Sequence, residues 1–143
     1  MAVRIPEPPL RLRQFLLALL AFGLIGLGIE LVLLEHHEEL SMLVPFAALT
    51  VGLVAVTMHA VSGTARTARV LRVAMILLML AGATGIVLHF RGGLEFQLEM
   101  NATLPRWTLF WKVMHMKAPP ILAPGVMVQL GLVGLISTYR QPA

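Results

Sequence analysis

Four long apolar runs set the pattern of this chain. The first, "LRQFLLALLAFGLIGLGIELVLL", covers residues 12–34, and others follow at about 43–61, 70–90 and 121–138. Each is close to the ~20 apolar residues needed to cross a ~30 Å hydrocarbon layer. Lipid offers no partner to an open backbone, so each run must be a helix. Pro45 and Pro124 fall near the starts of the second and fourth runs, where a missing N–H costs nothing. The expected fold is therefore an all-α integral membrane protein. Its single domain, 1–143, holds four transmembrane helices in an up-down bundle.

The polar stretch 91–120 is the long connection, and it has a pattern of its own. "LEFQLEM", residues 94–100, alternates apolar and polar positions, which predicts a strand or extended segment. Thr103 offers an N-cap, with Pro105 just behind it. Trp107, Phe110, Trp111 and Met114 then recur at i, i+3, i+4 and i+7. That spacing predicts a short amphipathic helix over about 104–116. Its aromatic side is suited to anchoring at a membrane interface or, in a second reading, to docking on a partner.

Composition strengthens the membrane assignment. Of 143 residues 58% are hydrophobic and only 13% charged, against roughly 25% charged in soluble domains; mean hydropathy is +0.86. No cysteine is present, so thiolate chemistry and disulfides are excluded. The net charge of +4 reflects arginines gathered at the ends of runs, not a nucleic-acid surface. Arg4, Arg11 and Arg13 precede the first run, Arg66, Arg69 and Arg72 lie before the third, and Arg140 follows the fourth. The "EHHEELSM" connection has no Lys or Arg, whereas the long connection carries Arg91, Arg106, Lys112 and Lys117. The short connections place both termini in the cytoplasm of a prokaryotic inner membrane. The Pro-rich start "MAVRIPEPPL" and the long run after it predict a retained first span, not a cleaved signal peptide.

Aligning Gly23 and Gly26 with Gly82 and Gly85 sets Glu30 opposite His89, and Pro45 with Pro124 sets Thr50 opposite Gln129. This allows two tandem hairpins, with chance coincidence of Gly, Leu and Val as the rival. On helical spacing, Gly23, Gly26 and Glu30 share a face, with His37 as its continuation; Gly82, Gly85 and His89 share another. Small residues mark close helix approach, so Glu30 and His89 are expected to point into the bundle at similar depth. Thr50 and Gln129 would form a polar layer nearby.

An ionisable residue in a span costs at least ~2.5 kcal/mol unless paired, neutral or hydrated. Glu30, His37 and His89 are therefore the candidate metal, cation or proton site, with Glu35, Glu38, Glu39, Glu95 and Glu99 as an acidic vestibule. No HxxxH or ExxH spacing supports it, and a solvated acidic loop is the simpler reading. A single haem between His36 or His37 and His89 is a further alternative. On this pattern His59 has no evident partner. "MHM" at 114–116 suits Cu(I) in chemistry, but methionine is also ordinary helix filler. The sequence requires no cofactor, and no catalytic motif appears. The reading is a small non-catalytic structural or accessory subunit that self-associates or joins a larger membrane complex.

Overall fold

A computed structural model describes residues 10–34, 42–117 and 119–141. His36, His37 and the carboxylates of the "EHHEEL" connection lie outside the described residues. Among the described residues five helices follow in order: α1 (Leu10–Leu33), α2 (Leu43–Ser62), α3 (Ala65–Met100), α4 (Arg106–Met114) and α5 (Leu122–Ser137). Three of them, α1, α2 and α3, are long and apolar enough to cross a membrane. The fourth apolar helix, α5, has 16 residues, or about 24 Å.

The α1, α2, α3 and α5 helices form a ring in which α1 packs on α2 and α5, and α3 packs on the same two. Direction alternates along the chain, and a two-residue turn joins α2 to α3. Gly63 adopts φ +61, a left-handed conformation that favours glycine, and its N–H donates to the His59 carbonyl at 2.9 Å. Thr64 then caps α3: its hydroxyl accepts from the Thr67 N–H, while the Thr67 hydroxyl accepts from the Thr64 N–H. The N-terminus of α1, the C-terminus of α2, the N-terminus of α3 and the C-terminus of α5 thus gather at one end, with Arg11, Arg13, Arg66, Arg69, Arg72 and Arg140.

On α1 the buried positions are Leu17, Leu20, Leu24, Leu27 and Leu31. Their alternating spacing of three and four is the knob pattern of a left-handed helix pair. Around the rest of α1, Phe15, Phe22, Ile25, Ile29 and Val32 are exposed. A helix that is apolar all round yet half uncovered is what lipid, rather than water, tolerates.

The tightest seam joins α3 and α5. A Cβ added at Gly82 would meet the Pro124 carbonyl oxygen at 2.6 Å, and one at Gly131 would meet the Met75 carbonyl oxygen at 2.9 Å. Backbone faces backbone here, which is the use of small residues in membrane helix packing. Gly85 abuts Pro124 and Gly134 abuts Met75 on the same seam.

Past this seam α3 does not stop. The segment 94–100, expected as a strand, is helix to Met100, and no strand occurs among the described residues. A two-residue alternation cannot hold a strand without a partner ladder, whereas continuing α3 satisfies every N–H at once. The 36-residue helix is about 54 Å long, and its far end carries α4. Gly93 leaves room for Val113, and the Phe90 and Phe110 rings lie 5.8 Å apart. Thr103 is not the cap of α4. The Asn101 side-chain oxygen accepts from its N–H and hydroxyl, and α4 begins at Arg106.

We expect Gly82→Val to lower the thermal unfolding midpoint of the purified protein by several degrees, because the opposing Pro124 carbonyl cannot yield. Gly125→Ala, where added atoms meet open space, should leave it unchanged. Circular dichroism melts in detergent read both; equal midpoints for all three proteins would remove the seam from the account.

Candidate functional site

The glycine–glutamate stripe expected to face inward does not. Gly26 and Glu30 are exposed, and an added Cβ at Gly26 meets nothing within 4 Å. Burial belongs to the leucine stripe one residue round the helix. The reason is physical: five leucines fill space on the inner side, whereas a buried carboxylate would need a partner to offset its desolvation. Among the described residues of the expected stripe only Gly23 packs, against Leu130 of α5.

His89 is also exposed. Depth separates it from Glu30 as well. Gly134 meets both Leu20 and Met75, and Gly52 meets both Leu24 and Met75, which sets residues 20–24 of α1 level with Met75. Glu30 is then level with roughly residues 81–85 of α3, about one to two turns short of His89. Glu30 and His89 also stand on different helices of the ring. Among the described residues no three His, Asp or Glu side chains group as a metal site, and His37 lies outside them.

Thr50 and Gln129 do not form an interior polar layer. Both are exposed, and the Thr50 hydroxyl donates to the Phe46 carbonyl of its own helix at 2.8 Å. The aligned glycines also differ in contact. Gly23 packs on α5, outside its own hairpin, while Gly82 packs on α5 within its own.

On α4 the buried positions are Leu109 and Val113. Phe110 and Met114 are half-buried, while Trp107 and Trp111 are exposed at 69% and 45%. The exposed rings form a continuous group: Trp107 stacks on Phe110 at 5.7 Å, and Trp111 meets Trp107 edge-on at 5.6 Å. His115 lies 5.4 Å from Trp111, and its Nδ1 is 2.8 Å from the Trp111 carbonyl oxygen.

The polar group that the sequence does not announce is at the arginine end. His59 is 3% exposed, and its Nδ1 lies 3.0 Å from the Thr67 hydroxyl of the α3 cap. Gln141 and the guanidinium groups of Arg13 and Arg72 surround the same imidazole. Arg72 is committed to the end of α5. It donates to the Thr138 hydroxyl at 3.3 Å, the Thr138 carbonyl at 3.0 Å and the Gln141 carbonyl at 2.6 Å. Arg13 reaches the Tyr139 carbonyl at 3.4 Å. These carbonyls belong to the C-cap of α5 and the turn just past it, at the helix's negative pole, so two arginines here fasten the end of α5 to α1 and α3. The Thr64-to-Thr67 spacing after Gly63 is a local capping signal that could have found this cluster.

The class these features define is an all-helical membrane protein whose short last helix is held by a glycine seam and an arginine clamp. No family model, curated protein or solved structure matches the chain.

Replacing Arg72 by Leu should free the last turn of α5. Charge-assisted hydrogen bonds contribute roughly 1.5–3 kcal/mol each, so amide exchange at 136–141 should accelerate at least ten-fold. Arg72→Lys should recover only part of the protection, lacking the planar fork. Unchanged exchange in Arg72→Leu would contradict the clamp.

Proposed function

We propose that this protein is a structural or accessory subunit, which joins copies of itself or a larger membrane complex through the outward face of α1. The carrying observation is Glu30, an exposed carboxylate one turn before the end of α1 and the one charged residue in the apolar stretch 15–33, with the open notch of Gly26 one turn below. In lipid such a carboxylate is costly. A neighbouring helix that enters the notch and hydrogen-bonds Glu30 removes that cost, and small residues permit the approach. Beside this face, α1 and α2 part into a groove of about 390 Å³ bordered by Gly28, Ile29, Phe46 and Thr50. It widens the surface a partner helix could occupy.

In this reading all four apolar helices span a prokaryotic inner membrane with both termini cytoplasmic, following the arginine distribution. The α3–α4 projection then stands on the outer side with its tryptophans at or above the headgroups.

The rival is a cation or proton site using Glu30 and His89. The one-to-two-turn separation of those residues disfavours it within a single chain. The two readings part on Glu30→Gln, which keeps a hydrogen-bonding group but no titratable charge.

Blue-native electrophoresis after gentle extraction should show a species larger than the monomer. Glu30→Leu and Gly26→Leu should both collapse it to the monomer without changing the melting midpoint, while Glu30→Gln retains it. A wild-type protein that runs as a lone monomer overturns the proposal. So does assembly that survives both leucine variants.

A further inference from the structure

A second surface, on the α2–α3 side, combines charge and apolar space in one line. A groove of about 310 Å³ is lined by Val51 of α2 and by Arg69, Val70, Val73, Ala74 and Leu77 of α3. Val51, Val70, Val73 and Leu77 are exposed along it. Arg69 stands at its arginine end, and Arg66 precedes it by three residues on the same helix, where side chains are neighbours. From Arg69 to Leu77 the groove extends about 12 Å along the helix. Neither arginine is among the groups that clamp α5, a task held by Arg72 and Arg13. The carboxylates of the described residues, Glu30, Glu95 and Glu99, all lie toward the other end of the molecule.

We infer that this groove holds one anionic phospholipid, with its phosphate on Arg69 and Arg66 and the upper part of an acyl chain along Val70, Val73, Leu77 and Val51. The order of chemistry along the groove, cation and then unbroken alkyl surface, is that of a phospholipid from headgroup to chain. Basic pockets between membrane helices are recognised sites for anionic headgroups. A guanidinium fork also matches phosphate oxygens in geometry. A partner helix would find no polar counterpart beyond the arginines, and a free phosphate would leave the apolar part unused. This inference does not depend on the assembly proposed for α1.

The test is native mass spectrometry of the delipidated full chain titrated with dioleoyl phosphatidylglycerol, with dioleoyl phosphatidylcholine as the neutral control. One tightly retained phosphatidylglycerol is expected, with phosphatidylcholine at least ten-fold weaker. The double variant Arg66→Gln, Arg69→Gln should bind phosphatidylglycerol about 10- to 30-fold more weakly. Val73→Trp fills the groove at an exposed position and keeps both arginines. It should lose the retained lipid while its lipid-free melting midpoint stays at the wild-type value. Retention by Val73→Trp equal to wild type would assign binding to surface charge alone and overturn the groove. Equal retention of both lipids overturns the headgroup assignment. Displacement of the lipid by millimolar inorganic phosphate overturns the acyl contribution. Loss of a lipid-independent dimer in Val73→Trp would give the groove to a second copy instead.

Discussion

The backbone contact between α3 and α5 is the constraint on which the remaining architecture rests. A 16-residue helix that follows a proline pair and ends in hydroxyl side chains has little intrinsic claim to a fixed position. It gains one because Gly82, Gly85, Gly131 and Gly134 remove the side chains that would hold the two helices apart. Dispersion then acts over a long line of close atoms, which is the chief attraction available between helices in lipid. The arginine clamp works on the same helix from its other end. Arg72 and Arg13 bond the carbonyls of Thr138, Tyr139 and Gln141, the cap and the turn that follow α5, and so tie that end to α3 and α1.

With α5 fixed against α3, the inward side of α1 is decided by what fits the remaining space. The leucine stripe fills it, and the polar stripe one position away is turned outward. The same competition explains why Thr50 bonds to its own helix and why Gln129 is exposed. The interior of this bundle is therefore nearly apolar over most of its depth. Its polar contacts concentrate where α2 turns into α3 and α5 ends. His59 belongs to that region: it is buried against Thr67, and its neighbours are the groups that fasten the helix ends.

Much of the helical plan was legible from apolar run length alone, because lipid forces every such run to be a helix. The glycines of the α3–α5 seam were legible in part, since Gly82 and Gly85 share a face in any helix. Two features were not. The inward side of α1 required a choice between two stripes of similar period, one of leucines and one of Gly23, Gly26 and Glu30. Helical spacing ranks neither; only the shape of the neighbours does. The run 94–100 alternates like a strand, but a strand needs a ladder partner, and α3 supplied a continuation instead. The arginine cluster was visible as charge, and its division into clamp and open surface was not, because Arg69 and Arg72 are three residues apart and differ only in which neighbour they meet.

The most direct test of the seam uses the fact that the chain has no cysteine of its own. A Cβ at Gly85 would lie 3.1 Å from the Pro124 Cβ and meets no backbone atom of α5, within reach of a disulfide after small adjustment. The pair Gly85→Cys, Pro124→Cys is oxidised mildly in native membranes, then unfolded and cut with trypsin at Arg91, Arg106 and Lys112. If α3 and α5 lie backbone to backbone, the fragments bearing the two cysteines remain joined until reduced, while a control pair at Gly26 and Pro124 does not cross-link. Fragments that separate without reductant, or equal cross-linking in the control, would contradict the account.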